Sequence, residues 1–248
     1  TEDIEGGDRM SKSFFIDTTL CTACRGCQVA CKQWHDLPAE TTENRGTYQN
    51  PADLSFDTYK LVRMRETVID GRFRWLFFPD QCRHCLEAPC LETAGDPAAI
   101  FYDEPSGAVI YTAATKSLDA AEIIESCPYN IPRKASDGTL AKCDMCYDRV
   151  AAGMLPACVK TCPTGAMNFG ERAEMLDLAK KRLTVVKRTH RNAMLLDPDD
   201  IRVIFMVAYE PNLYHEHAVA SHSGFGISRQ VALRRMLRPL KHLFSPLT

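Results

Sequence analysis

Apolar residues in the middle of the chain are concentrated in short segments that have the length of β-strands. Two pairs of these segments are separated by turn residues, Asp70-Gly71 in the first pair and Pro105-Ser106-Gly107 in the second. A glycine-containing turn between two apolar segments is typical of a β-hairpin. The pattern therefore predicts two hairpins, whose strands are residues 59–69, 73–78, 100–102 and 109–111.

Helical periodicity is found in two places. Residues 171–190 carry apolar side chains at helical spacing, which predicts a surface helix that packs one face. Residues 118–126 predict a shorter helix with an apolar face. By contrast, residues 35–58 are polar and rich in Pro, Asn and Thr, and we expect a loop long enough to bind a partner. The apolar positions of the longer helix are Met175, Leu178, Ala179, Leu183 and Val186.

Composition and charge exclude several classes of protein. The chain has 248 residues, of which 45% are hydrophobic and 25% charged, so it can bury a core. A net charge of −2 argues against a dedicated nucleic-acid binder. No apolar run reaches the roughly 18 residues of a membrane span, and residues 1–10 lack the apolar segment of a secretory signal. We therefore expect neither a transmembrane anchor nor a signal peptide.

The C-terminal segment, residues 221–248, is basic and contains no acidic residue. The favoured interpretation is an arm that docks on an acidic partner subunit. A basic surface helix and a membrane-surface helix are the alternatives. The basic residues are Arg229, Arg234, Arg235, Arg238 and Lys241.

Twelve cysteines in four groups are the chemically distinctive feature of the sequence. The first group has the spacing C-x2-C-x2-C-x3-C of bacterial ferredoxins, in which three thiolates bind one iron–sulfur cluster and the fourth binds another. The second group has three cysteines, and the third has one, followed by proline. The groups are Cys21, Cys24, Cys27 and Cys31; Cys82, Cys85 and Cys90; Cys127; and Cys143, Cys146, Cys158 and Cys162.

Disulfides and zinc are the main alternatives to iron–sulfur clusters. Disulfides are disfavoured because thiols at C-x2-C-x2-C spacing suit a shared metal better than separate bridges. Zinc sites with four cysteines stay open, although the first group crowds more thiolates than one zinc knuckle needs. Catalytic thiols are favoured least. Iron–sulfur clusters explain the spacing best.

Paired ferredoxin groups exchange their fourth cysteine, which predicts two ligand sets from the first and fourth groups. We name these sets site 1 and site 2. Site 1 is predicted to consist of Cys21, Cys24, Cys27 and Cys162. Site 2 is predicted to consist of Cys31, Cys143, Cys146 and Cys158.

The second and third groups form an incomplete pair. Their spacing leaves four positions where a cysteine is missing, and by the exchange rule these four would bind the same cluster. That cluster is therefore predicted to be lost as a unit. Its partner, site 3, keeps Cys82, Cys85, Cys90 and Cys127, so every cysteine is used once. The four positions, which we call the replaced positions, are Ala94, Ser117, Ala120 and Ile123.

Several residues near the cysteines invite a structural or a functional interpretation. His84 is expected to form a hydrogen bond near site 3 rather than to bind metal, because four thiolates are already present. Lys142 and Arg83 either raise a cluster potential through their positive charge or are simply solvated. Trp34 and Trp75 are interpreted as core residues.

The order of the four groups resembles that in the iron–sulfur subunits of molybdopterin oxidoreductases. The motifs that match are residues 127–133, 142–149 and 158–166. The loss of one cluster, together with residues 77–85 and 197–205, looks like the small subunits of periplasmic tungsten- or molybdenum-containing formate dehydrogenases of sulfate-reducing bacteria. The resemblance covers about residues 11–220.

The resemblance implies an α+β fold of two bacterial-ferredoxin-like units with hairpin insertions and a C-terminal helical extension. Residues 11–50 and 138–170 would form the unit that holds two clusters. Residues 51–137 would form the second unit, which holds one cluster. Residues 171–248 would supply the extension and the basic tail for subunit contact.

The resemblance also implies a function in electron transfer through three [4Fe-4S] clusters. A large catalytic subunit with a tungsten or molybdenum bis-pterin cofactor would interconvert formate and carbon dioxide, and the two subunits would form a heterodimer. A soluble multihaem cytochrome c would be the electron acceptor. The complex would be periplasmic, exported with the partner that bears the signal. No residue of this chain is expected to be catalytic.

Two other functions share part of this chemistry. A relay subunit of a different molybdopterin enzyme, such as a sulfur-compound or nitrate reductase, would have the same cysteine ligands. A zinc-structured scaffold would contain zinc in place of iron.

Overall fold

The structure, a computed structural model, describes residues 11–220. The expected arm at residues 221–248 lies outside the described residues. The strands are β1 (Lys12–Asp17), β2 (Leu61–Ile69), β3 (Arg72–Asp80), β4 (Ile100–Asp103), β5 (Ala108–Tyr111), β6 (Arg133–Lys134), β7 (Leu140–Ala141), β8 (Met167–Glu171), β9 (Met194–Leu196) and β10 (Val203–Val207). The helices are α1 (Gly26–Trp34), α2 (Pro89–Ala94), α3 (Ala120–Glu125), α4 (Tyr147–Ala151), α5 (Ala157–Lys160) and α6 (Arg172–Val186).

A four-stranded sheet with the order β8-β1-β10-β9 forms the centre of the molecule. β1 runs antiparallel to β8 and parallel to β10, so the sheet joins segments from both ends of the described chain. All five residues of β10 are buried, because both faces of the sheet are covered. The mixed α+β architecture that we expected is confirmed.

The two faces of this sheet pack against different partners. On one face, Phe15 and Ile204 pack against Ala179 and Val186 of helix α6. On the other face, alternate residues of β1 and β10 join a core that includes Cys27 and Cys158. Since successive side chains of a strand point to opposite faces, the sheet separates the surface helix from the cysteine groups.

Both predicted hairpins are confirmed. Asp70 and Gly71 form the turn between β2 and β3, with φ angles of 50° and 71° that suit such turns. Gly107, with a φ of 71°, ends the turn before β5. A Cβ atom at Gly107 would lie 2.3 Å from Nε of Arg202, so the contact with Arg202 requires glycine there.

The predicted helices are also present. α6 confirms the longer one, with Ala179 and Val186 buried on its inner face. α3 begins two residues after the predicted start, because Asp119 caps its N-terminus by accepting hydrogen bonds from the N–H groups of Ala121 and Glu122. None of the helices within residues 11–220 has the length and hydrophobicity needed to cross a bilayer.

The interpretation of both tryptophans as core residues is wrong. The exposed fraction is 40% for Trp34 and 42% for Trp75. The Trp34 ring lies beneath the guanidinium of Arg149, and its Nε1–H donates to the carboxylate of Asp148. Trp75 packs between Tyr48 and Phe77 on the outer face of the β2–β3 hairpin. Partners near the surface, supplied by distant segments, hold both rings there.

Candidate metal centres

All twelve cysteines are free thiols. Thiols predicted for one site are electrostatic neighbours: Cys21 neighbours Cys27 and Cys162, and Cys31 neighbours Cys146 and Cys158. Cys85 likewise neighbours Cys82, Cys90 and Cys127. The structure thus brings together cysteines that lie more than 100 residues apart in the sequence. The division into sites 1, 2 and 3 stays a prediction, because Cys158 also neighbours Cys27, and Cys143 neighbours Cys82.

A left-handed residue shapes the loop in all three sites. In the motifs Cys21–Cys24, Cys82–Cys85 and Cys143–Cys146 the residue before the second cysteine has a positive φ: 54° at Ala23, 47° at His84 and 67° at Met145. The N–H groups of His84 and Met145 each lie 3.4 Å from the sulfur of the first cysteine of their motif. The N–H of Ala23 makes the corresponding hydrogen bond in site 1. This recurring turn presents both thiols to the same side of the loop and hydrogen-bonds one of them.

Two short helices explain why paired groups exchange a cysteine. Cys27 and Cys31 lie one turn apart on α1, and Cys158 lies in α5, one turn before Cys162. α1 packs against α5. In the predicted sets Cys27 and Cys162 belong to site 1, whereas Cys31 and Cys158 belong to site 2. α1 would therefore contribute to both sites, as would α5 together with the residues that follow it.

Burial dominates the acid–base chemistry of most of these thiols. It raises the pKa of Cys21 and of Cys158 to about 11 and that of Cys127 to about 12. A thiolate loses its hydration in such a place, so bound metal is needed to compensate the charge. Cys162 is the exception: burial acts upward on its pKa, but hydrogen bonds from the Thr164 hydroxyl and from backbone N–H groups lower it.

The four thiols of site 3 line one pocket. They share its wall with apolar and aromatic side chains, including Val109, Tyr111 and Ile131. Four cysteine thiols are the donor set of an iron–sulfur cluster. Cys82, Cys85, Cys90 and Cys127 would therefore hold such a cluster.

Basic side chains beside site 3 are buried, so the interpretation of Lys142 and Arg83 as solvated residues is wrong. Arg83 is 1% exposed, and its guanidinium lies 2.7 Å from the carboxylate of Asp80, which offsets its charge. Lys142 is 6% exposed and donates hydrogen bonds to the carbonyls of Val109 and Cys143. Within residues 11–220 no carboxylate pairs with Lys142, and its ammonium lies over the ring of Tyr111.

His84 is fully buried between the first two thiols of site 3. Its Nδ1 accepts a hydrogen bond from the N–H of Val109 at 3.0 Å, which places the ring proton on Nε2. Burial, with Lys142 and Arg202 nearby, holds the pKa of His84 well below its usual range. The expected hydrogen-bonding role is confirmed, and the ring is a neutral neighbour of the thiols.

Three of the four replaced positions lie in one apolar cluster. Ala120 and Ile123 are buried and Ala94 is half-buried, and all three pack with Cys90 and Leu140. Their apolar side chains therefore pack beside Cys90 of site 3. The fourth, Ser117, is exposed and donates a hydrogen bond to the carbonyl of Ala114 at 2.7 Å.

Lys60 is a residue near the sites that the sequence did not reveal. It lies directly before β2, where a lysine in a hairpin ordinarily faces solvent, yet it is 2% exposed. Its ammonium donates to the carbonyl of Pro79, at 3.2 Å, and to the side-chain oxygen of Gln81. No local pattern marks it, because its burial depends on segments far along the chain.

Comparison with known proteins identifies a matching family and several relatives. Residues 73–172 match the family described as the 4Fe-4S dicluster domain. The formate dehydrogenase subunit beta of Megalodesulfovibrio gigas is 59% identical over 215 residues, which are 85% of this chain and 100% of the relative. The formate dehydrogenase 2 subunit beta (cytochrome c-553) of Nitratidesulfovibrio vulgaris is 52% identical over 216 residues, 84% of this chain and 99% of the relative.

A more distant relative comes from Escherichia coli. The iron–sulfur subunit of its nitrate-inducible formate dehydrogenase is 38% identical over 207 residues. These residues are 81% of this chain and 70% of the relative.

Proposed function

This chain belongs to the family of formate dehydrogenase beta subunits, the iron–sulfur electron-transfer subunits of that enzyme, and we propose that it relays electrons through three [4Fe-4S] clusters. The observation that supports the proposal is that cysteines from distant parts of the sequence are neighbours, such as Cys21 with Cys162 and Cys31 with Cys158. The clusters, when bound at sites 1, 2 and 3, supply one-electron carriers. The twelve cysteines hold them, and the apolar core around the thiols excludes water.

We propose that the three sites are arranged in series. Cys27 of site 1 is an electrostatic neighbour of Cys158 of site 2, and Cys143 of site 2 is a neighbour of Cys82 of site 3. These two relations support a path from site 1 through site 2 to site 3, or in the reverse direction.

We assign the two ends of this path to different partners. The catalytic subunit, with a tungsten or molybdenum bis-pterin cofactor that interconverts formate and carbon dioxide, would contact the side of site 1, where Cys24 is exposed. Site 3 would face a soluble multihaem cytochrome c. The name of the Nitratidesulfovibrio vulgaris relative, which includes cytochrome c-553, supports an acceptor of this class.

The family relationship also supports a domain division and a cellular compartment for this chain. Residues 11–50 and 138–170 form the unit with sites 1 and 2, residues 51–137 form the unit with site 3, and residues 171–248 form the extension. Pairing of β1 with β8 supports the first unit, because it closes residues 11–50 onto 138–170. We propose a periplasmic heterodimer that is exported with a signal-bearing catalytic subunit.

Metal analysis of the purified heterodimer, combined with a ligand variant, tests the three-cluster proposal. After subtraction of the catalytic subunit's own iron, we expect about twelve iron atoms per chain and no stoichiometric zinc. About eight would contradict the assignment of site 3, and about sixteen would contradict the lost cluster. Cys127→Ala should remove one reducible centre from electron paramagnetic resonance spectra while two persist. Loss of two centres would contradict the ligand sets.

A further inference from the structure

Lys60 is a buried cation whose hydrogen-bond partners are neutral. Its ammonium donates to the backbone carbonyl of Pro79 and to the amide side chain of Gln81. Within residues 11–220 no carboxylate forms an ion pair with it. A buried charge without a counter-ion costs several kcal/mol in an apolar interior, on the order of the whole stability of a domain. A negative charge nearby is therefore required to stabilise it.

The cysteines of sites 1 and 2 are electrostatic neighbours of Lys60. Lys60 acts on Cys21 and Cys27 of site 1 and on Cys31 and Cys158 of site 2. Beyond burial itself, it is the strongest influence on Cys27 and Cys158. The backbone gives the same placement, because the N–H of Val62, two residues after Lys60, donates to the side chain of Gln28, which is next to Cys27. The ammonium therefore lies within electrostatic range of both sites.

We propose that the ammonium of Lys60 raises the reduction potential of the cluster at site 1 and also that of the cluster at site 2. This inference rests on the proposed function, since it requires clusters at both sites. Reduction adds one electron, and thus one negative charge, to a cluster. A fixed cation nearby stabilises the reduced form more than the oxidised form, so it raises the potential. Because one ammonium serves two sites, both potentials move in the same direction.

Site 3 has a different buried cation, which provides a matched control. Lys142 lines the cavity of site 3 and acts on Cys90, whereas Lys60 is not among the principal charged neighbours of Cys85, Cys90 or Cys127. Both lysines are buried, and both donate to carbonyl oxygens. Replacing Lys60 by a neutral residue should therefore shift the reduction potentials at sites 1 and 2, whereas replacing Lys142 should shift the potential at site 3.

The test is a redox titration of the holoenzyme, followed by electron paramagnetic resonance, for Lys60→Met and Lys142→Met. The site 3 signal is identified as the one that Cys127→Ala removes. In Lys60→Met, the equilibrium constant for reduction at sites 1 and 2 should fall by about tenfold or more, which is about 59 mV for one electron. Site 3 should shift less. In Lys142→Met, site 3 should shift most.

Two further variants separate charge from packing. Lys60→Gln removes the charge but keeps a hydrogen-bond donor, so it should reproduce the shift even where Lys60→Met loads iron poorly. Lys60→Arg keeps the charge and should restore most of the potential. Unchanged potentials at sites 1 and 2 in both neutral variants would overturn the proposal, as would an equal shift of all three centres. Failure of the three-cluster proposal would be seen separately, as too few irons in the unmodified enzyme.

Discussion

At the scale of single residues, the positions of the predicted lost cluster carry side chains in two different environments. Ala120 and Ile123 stand where cysteine ligands would stand in a complete pair, and both are buried beside Cys90. Ser117, at another of the replaced positions, is exposed. Removal of the cluster would leave a void at the buried positions, and apolar packing prevents it. At the exposed position nothing has to be filled.

This difference predicts unequal effects of truncation at two replaced positions. Ile123→Ala should lower the free energy of unfolding by about 2–5 kcal/mol, because it leaves a cavity in the core beside Cys90. Ser117→Ala should change it by less than about 0.5 kcal/mol, as is usual at exposed sites. Urea unfolding, followed by circular dichroism, measures both. Equal effects of the two substitutions would contradict the packing role of Ile123.

At the scale of elements, short helices carry cysteines or lead directly to them. α3 has only two turns and ends just before Cys127, and Asp119 caps its N-terminus through hydrogen bonds to Ala121 and Glu122. So short a helix is not stable by itself, and its cap and its buried face hold it in place. The position of Cys127 therefore depends on Asp119 through α3.

Substitution of the cap should weaken site 3 without touching a thiol. Asp119→Ala should cost about 1 kcal/mol of stability, because two N–H groups at the helix start lose their acceptor. Iron loss from site 3 on chelator treatment should accelerate, while sites 1 and 2 lose iron at the original rate. Asp119→Asn, which keeps a capping oxygen, is the control and should resemble the unmodified protein. Uniform loss from all three sites would show that α3 does not act locally.

At the scale of the whole molecule, the central sheet joins distant parts of the chain. β1 near the N-terminus pairs with both β8 and β10, and this pairing brings the first cysteine group to the fourth. The described part of the chain ends at Ala220, beside Asp197, whose carboxylate accepts a hydrogen bond from the Ala220 N–H at 2.9 Å. The basic segment 221–248 thus continues from a defined point on the surface of the body.

Truncation after Ala220 tests the docking arm expected from the sequence. We expect weaker association with the catalytic subunit, and the loss should be largest at low salt, because screening removes the contribution of the basic residues in the full chain. Measurement of the dissociation constant at several ionic strengths checks this. The body of the protein should keep its iron. An affinity that is unchanged at every salt concentration would contradict the docking role.

Local features were predictable from the residue order. Cysteine spacing predicts the membership of sites 1, 2 and 3, because a short loop limits which thiols can reach one centre. Asp70-Gly71 predicts its hairpin for a similar reason, since both residues suit the backbone angles of the turn. Cysteines absent at regular spacing indicate the lost cluster. Each of these conclusions starts from the spacing of residues within one group or one turn, although sites 1 and 2 combine groups that lie more than 100 residues apart.

Other features depended on contacts between distant segments. The burial of Lys60 depends on Pro79 and Gln81, and its electrostatic effect on Cys158 depends on a segment almost 100 residues away. The parallel pairing of β1 with β10 and the series of sites 1, 2 and 3 arise in the same way. Spacing constrains neighbours through the covalent chain, whereas burial and charge proximity are properties of the packed interior. The residues near a lysine in the sequence therefore do not show whether its side chain is solvated or buried near metal sites.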